Sequence, residues 1–159
     1  VCSDLATAAF LKGAVGPHVP VGLLPASIFL VAAAVSFATG TSWGTMAILT
    51  PLAVPLVLDA SGGDTLVLAA TVSAILGGAV FGDHCSPISD TTILSSMASS
   101  CDHVDHVRTQ LPYALLGAGL SIVIGYLPEA VAGISPWLLL AVGFAAIAGW
   151  SRFIAKPVE

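Results

Sequence analysis

Charge is what this sequence has least of. Of its 159 residues, four are Lys or Arg and nine are Asp or Glu, so only 8% are charged. A soluble domain normally carries about 25% charge. So few charges cannot cover a water-facing surface, and 57% of the residues are hydrophobic. The mean hydropathy of +1.01 agrees. The chain is therefore expected to be an integral membrane protein or a piece of one. The scarcity of bases excludes a basic patch for nucleic acid. Cysteine is scarce too. Cys2, Cys85 and Cys101 are odd in number, far apart and without a CxxC pair, so no disulfide framework is expected. The chain starts at Val1 without methionine or a basic n-region, and no signal peptide is legible. The natural protein is expected to extend further on the N-terminal side, which would make this a fragment.

Against that apolar background one polar stretch stands out, Gly82-Asp83-His84-Cys85-Ser86-Pro87-Ile88-Ser89-Asp90-Thr91-Thr92. Buried polar groups on this scale are expensive in lipid, and a chain accepts that cost where it binds something polar. Gly82 suits the end of a helix, Pro87 the first turn of the next, and Ser86 its N-cap. The stretch reads as a break in a membrane helix, with halves at about 65–82 and 87–98. Asp90 would then sit in the first turn of the second half, where the helix dipole favours a carboxylate. Secondary transporters build ion sites this way. The competing reading is a polar loop outside the membrane.

Residues 1–20, interrupted by Asp4, Lys12 and Gly16-Pro17, read as the tail of an earlier helix plus a loop. The apolar run 21–38 leads to Thr39-Gly40-Thr41-Ser42-Trp43-Gly44-Thr45, and a second run, 46–58, is interrupted by Thr50-Pro51. A span needs about 20 helical residues. The second run is short for that, whereas one helix through 21–58 would be about 55 Å long. A re-entrant hairpin over 21–58 fits better, with a polar tip that needs a protein or water surrounding. An ordinary loop between two tilted spans is the alternative. Asp59–Asp64 reads as a turn. Gly78 and Gly82 make a small-xxx-small pair, as do Gly40 and Gly44. Residues 99–110 read as a hydrated loop or short interfacial helix, although Asp102, His103, Asp105 and His106 could be drawn as a metal site. Spans are expected at 111–127 and 134–151, with a turn at Pro128-Glu129. Tyr113, Tyr126, Trp137 and Trp150 fall near span ends, as an aromatic belt would place them.

Following the chain through these elements puts Arg108, Arg152 and Lys156 on one side, and Asp59, Asp64 and Glu129 on the other. The positive-inside rule makes the basic side cytoplasmic, with Lys12 alone opposing.

The segments Ala38–Thr45 and Gly82–Thr92, continued by Cys101–Tyr113 (CDHVDHVRTQLPY), closely resemble the NhaC-type Na+/H+ antiporter family over roughly residues 22–127. Cys85 lies where variation within that family is expected. The resemblance implies an all-α polytopic membrane fold of the ion transporter superfamily. Each of its inverted repeats holds a re-entrant helical hairpin and a broken transmembrane helix. Full-length members are several times longer, and residues 1–159 look like the C-terminal repeat. The implied activity is secondary active exchange of Na+ for H+ across the cytoplasmic membrane. Some relatives instead exchange malate for lactate with coupled ions.

Sodium wants hard oxygen ligands. Candidates are Asp83, Ser86, Ser89, Asp90, Thr91, Thr39, Thr41 and Ser42, with carbonyls from both breaks. Burial and a nearby like charge raise the pKa of one carboxylate of a pair, so protons and sodium can compete for one site. Asp90 is taken as the better Na+ ligand, and Asp83 as the proton carrier or a structural group. His84 could titrate near neutral pH or simply hold a hydrogen bond. Trp43 is expected to pack the hairpin tip against the broken helix, or else to line the cavity. Gly82 and Pro87 shape the break. No cofactor is expected beyond the transported Na+ and H+. The expected partners are the lipid bilayer, the missing N-terminal repeat and, optionally, a second copy in a homodimer. An ion-coupled organic-anion exchanger is the alternative transporter. A membrane enzyme using Asp83, His84, His103 and His106 around a metal, and an assembly subunit that transports nothing, are weaker alternatives.

Overall fold

Proline and glycine decide where helices start and stop here. The computed structural model describes residues 20–153, and every regular element among them is helical. After a 3-10 turn, Val21–Leu23, helix α1 runs Leu24–Thr39 with Pro25 in its first turn, where a missing N–H costs nothing. It stops at Gly40, whose φ of 68° lies in the left-handed region that glycine enters without penalty. Thr41 caps α2 (Ser42–Ala60), accepting from the Gly44 N–H at 3.4 Å. Asp64 caps α3 (Thr65–Cys85) through the Leu66 N–H at 2.8 Å. Then come α4 (Asp90–Ala98) and α5 (His103–Leu120). A π segment, Ser121–Tyr126, carries α5 directly into α6 (Leu127–Ala132), and α7 spans Pro136–Phe153.

Four stretches are long and apolar enough to cross a bilayer: Val21–Thr39, Ser42–Ala60, Thr65–Cys85 and His103–Ala132. Pro136–Arg152 is a shorter apolar helix. The protein is an all-helical polytopic membrane protein. Residues 1–19, with Lys12, and 154–159, with Lys156, lie outside the described residues.

Three boundaries differ from the sequence expectations. The second arm of the hairpin is not a short run from 46. It starts at Ser42 and continues through Pro51 and Pro55 for 19 residues, so each arm is long enough to span. The break lies later than expected. α3 continues past Gly82 to Cys85, and α4 begins at Asp90, leaving Ser86–Ser89 as the turn. Ser86 is extended (φ −76°, ψ 126°), as a residue before proline prefers, but the second half starts three residues later than expected, so its N-cap position falls to Ser89 and not to Ser86. Finally, no turn forms at Pro128-Glu129, and most of 99–110 is helical. Asp102 caps α5 by accepting from the Val104 and Asp105 N–H groups at 2.9 and 3.2 Å. Pro128 falls in the first turn of α6, where proline is tolerated, so the chain turns only at Gly133.

The tightest packing joins α1 to α3. A Cβ added to Gly78 would strike the Phe29 carbonyl, and one added to Gly82 would strike the Ala33 carbonyl. Four residues on, Ser86 donates to the Phe37 carbonyl at 2.8 Å, across a separation of 49 residues. Phe29, Ala33 and Phe37 thus meet Gly78, Gly82 and Ser86 in the same order, so α1 and α3 run parallel. Small residues let the two backbones touch, which is how membrane helices associate when lipid is as apolar as leucine. Ser36 adds a buried hydrogen bond to the Ala79 carbonyl at 2.6 Å. Beside this seam Phe29 packs against Phe81 and Tyr126, with ring centroids 6.0 and 5.5 Å away.

The α5–α6 helix runs back along α3. Gln110 reaches His84, Tyr126 lies beside Gly77, and Ala130 lies against Gly22. α7 returns again, bringing Trp150 to Tyr113 with centroids 6.3 Å apart. Both helix breaks therefore share one end of the bundle with Arg108 and Arg152.

Candidate functional site

The two breaks cross. Gly40 sits so close to Ile88 that an added Cβ would lie 2.8 Å from the Ile88 carbonyl oxygen. This contact sets residues 39–45 beside 83–91. The tip of the hairpin is consequently lined by the last turn of α3, the Ser86–Ser89 turn and the start of α4.

Asp83 lies at the meeting point and is only 6% exposed. Its Oδ1 accepts from the Ser89 hydroxyl at 2.7 Å. Its Oδ2 accepts from Ser42 at 3.2 Å and from Thr91 at 3.3 Å. Ser89 and Thr91 also touch each other, Oγ to Oγ1, at 2.8 Å. Each hydroxyl has one hydrogen. Ser42 and Ser89 spend theirs on the carboxylate, while Thr91 chooses between Asp83 and Ser89. Hydrogen bonds to an ionised group contribute about 1.5–3 kcal/mol each, against a desolvation penalty of several kcal/mol for a buried ion. Three hydroxyls leave acceptor capacity on the carboxyl group, which offers about four lone-pair sites.

The other candidates lie around this cluster. Ser86 is fully buried and holds the turn to α1 through the Phe37 carbonyl. It also accepts from the Ile88 N–H at 3.4 Å. Thr41 is spent on capping α2, and Thr39 donates to the Val35 carbonyl at 2.9 Å on an exposed face. Asp90 heads α4, is exposed, and accepts from the adjacent Thr91 N–H at 2.8 Å. The structure thus brings Asp83, Ser42, Ser89 and Thr91 together and leaves Asp90 beside them, facing out. Trp43 is 81% exposed and does not pack the tip against the broken helix. The Gly40–Ile88 backbone approach already closes the tip, and one residue beyond Ser42 the helix has turned outward. The side chain of His84 is exposed too, and its carbonyl accepts from Gln110.

The metal-site alternative does not form. Among the described residues no three His, Cys, Asp or Glu side chains converge. His103 instead bonds the Pro87 carbonyl through Nε2 at 2.7 Å and Ser96 through Nδ1 at 3.1 Å. Gln110 and the bridging place of His103 were not legible in the sequence, apart from their spacing of two helical turns on a polar segment.

Comparison with known proteins identifies the family. Residues 1–128 match the model of the Na+/H+ antiporter family. An uncharacterized protein of Haemophilus influenzae is 43% identical over 137 residues, covering 84% of this chain and 26% of that protein. An uncharacterized Na+/H+ antiporter of the same organism is 39% identical over 112 residues, 67% of this chain and 22% of the relative. The malate-2H+/Na+-lactate antiporter of Bacillus subtilis is 41% identical over 111 residues, 64% of this chain and 23% of the relative. The chain therefore spans about a quarter of the length of these curated relatives. No solved structure matches. With four-fifths of its length inside the family model, and two polar helix breaks crossing at a buried carboxylate, the chain belongs to the Na+/H+ antiporter family.

Proposed function

We propose that the full-length protein carrying this sequence exchanges Na+ for H+ across the cytoplasmic membrane. This chain would supply one repeat of the transporter and the carboxylate shared by the two ions. The observation that carries the reading is Asp83, buried and ringed by the hydroxyls of Ser42, Ser89 and Thr91 from both breaks. These are hard oxygens of the kind sodium prefers. Asp83, rather than Asp90, is the better-supported cation ligand, because the hydroxyls converge on it. Na+ would draw the hydroxyl lone pairs inward. A proton on Asp83 would remove the charge and force one hydroxyl to accept instead of donate. The two occupants exclude each other, and alternating access turns exclusion into exchange.

The test is sodium-driven proton movement in reconstituted vesicles. Asp83→Asn keeps the size and removes the charge and the titratable proton, and it is expected to insert normally and abolish flux. Ser42→Ala, Ser89→Ala and Thr91→Val each remove one neutral oxygen and should raise the half-saturating Na+ while flux survives at high Na+. The sign with pH follows from linkage. The charged form binds Na+ and the protonated form does not, so apparent Na+ affinity falls as pH falls through the site's titration. Affinity flat with pH, or full exchange by Asp83→Asn, defeats the shared site.

The likeness to a malate-2H+/Na+-lactate antiporter supports a second reading, ion-coupled exchange of organic anions. Malate uptake into lactate-loaded vesicles separates the two. In both readings Arg108 and Arg152 mark the end that holds the site as cytoplasmic. A cysteine at Ser61 should then be labelled only from outside intact cells, and labelling only from inside reverses the orientation.

A further inference from the structure

The polar segment that opens α5 has no part in the hydroxyl ring around Asp83, yet two of its side chains reach the break. A helix leaves its last four carbonyls without intrahelical donors. His84 lies in that last turn of α3, and Gln110 donates to its carbonyl from α5. Pro87 lies in the turn between α3 and α4, and its carbonyl is met by His103 Nε2 at 2.7 Å. His103 and Gln110 are seven residues apart, about two turns, so they lie on one face of α5. That face grips the break on both sides of Cys85-Ser86. The same ring of His103 reaches Ser96 on α4 at 3.1 Å, so one imidazole ties the turn to the second half-helix.

We infer that His103 and Gln110 are positioning residues for the Asp83 site. They fix the two carbonyls that bracket Cys85-Ser86, and through them the placement of Ser89 and Thr91 against the carboxylate. The inference rests on the Asp83 reading for its functional consequence but not for its geometry. The proton count on His103 shows why the grip does not depend on the charge of the ring. Pro87 offers only an acceptor, so Nε2 carries a hydrogen. Ser96 also lies 2.8 Å from the Ile93 carbonyl, and its single hydrogen serves one acceptor at a time. With a neutral ring, Ser96 donates to Nδ1. With a charged ring, Nδ1 donates to Ser96, and Ser96 donates to Ile93. In both states Nε2–H remains on Pro87. The arrangement is a strut and not a pH switch.

Two readouts test it in the full-length protein. The first is transport in reconstituted vesicles. His103→Leu and Gln110→Leu should each raise the half-saturating Na+ about fivefold, the worth of one hydrogen bond, with the maximal rate unchanged. His103→Gln keeps a donor for the Pro87 carbonyl and should return the half-saturation toward wild type. The second readout needs no transport. Cys85 is buried between the two gripped carbonyls. With every other cysteine replaced by serine, a membrane-permeant maleimide should label it several-fold faster in both Leu variants and at the wild-type rate in His103→Gln. Unchanged labelling and unchanged half-saturation in both Leu variants overturn the positioning role. Equal loss in His103→Leu and His103→Gln also overturns it, because the donor would then not matter. If Asp83→Asn transports sodium normally, the reading of the site fails, while Cys85 labelling still decides whether α5 grips the break.

Discussion

The two halves of this molecule are both helical and apolar, but they are packed in opposite ways. In α1 and α3 a third of the apolar stretch is buried, 33% in each case. In the long helix from His103 to Ala132 the buried share is 6%. Hydropathy does not explain the contrast, since both halves are apolar enough to span. What the small residues meet does: Gly78 and Gly82 on α3 meet the backbone of α1, whereas Gly117 and Gly119 on α5 meet nothing within 4 Å. The α1–α3 seam is made of Gly78, Gly82, Ala32, Ala33, Ser36 and Ser86, whereas α5–α7 turn Tyr113, Leu115, Val123, Val131, Trp137 and Phe144 outward. In a lipid solvent large apolar groups gain little by turning inward, so cores form where backbones can touch. The touching seam is also where the polar breaks are held.

The sharpest way to break this contrast is to fill the seam. Gly82→Leu places a side chain against the Ala33 carbonyl and the Phe37 N–H, which are backbone and cannot step aside. It should cost at least about 3 kcal/mol, at the upper end of overpacking penalties, read as a large fall in thermal midpoint in detergent. Gly119→Leu meets nothing within 4 Å and should change stability by less than about 0.5 kcal/mol. If Gly119→Leu proves as damaging, another part of the full-length protein covers α5, and the contrast belongs to this segment alone.

A smaller effect sharpens the same contrast with two serines. Ser36→Ala loses the buried bond to the Ala79 carbonyl and should cost about 1 kcal/mol. Ser121→Ala loses only an exposed bond to the Gly117 carbonyl, one turn back on its own helix, and should be near neutral by the same measurement. Equal losses would mean that Ser121 is buried in the full-length protein.

The sequence made the breaks legible because proline and glycine act on the backbone locally. Gly40 and the Ser86-Pro87 pair lie at the two breaks, although Pro51 and Pro55 are carried inside α2. The small-xxx-small spacing of Gly78 and Gly82 also pointed to a close approach. What it could not convey was the use of each polar group. A serine before proline can cap its own helix or reach a neighbour, and Ser86 reaches Phe37 because α1 happens to lie there. Asp83 and Asp90 have the same chemistry and differ only in which way the turn aims them. Likewise Gln110 gains its role from α5 running back along α3, an arrangement that no local pattern encodes. Pro128 misled for a related reason, since the π segment before it runs directly into a new helix in whose first turn the proline falls.

The pairing of the two breaks has a consequence for biosynthesis. Ser42 and Asp83 are hydrogen-bond partners 41 residues apart in the chain. At translation rates of about 5–20 residues per second, the hairpin tip is made about 2–8 s before its carboxylate partner. During that interval Ser42 has no Asp83 to meet, and the tip stays at the end of the bundle that it later shares with the second break. Synthesis of the second break is then the event that closes the first.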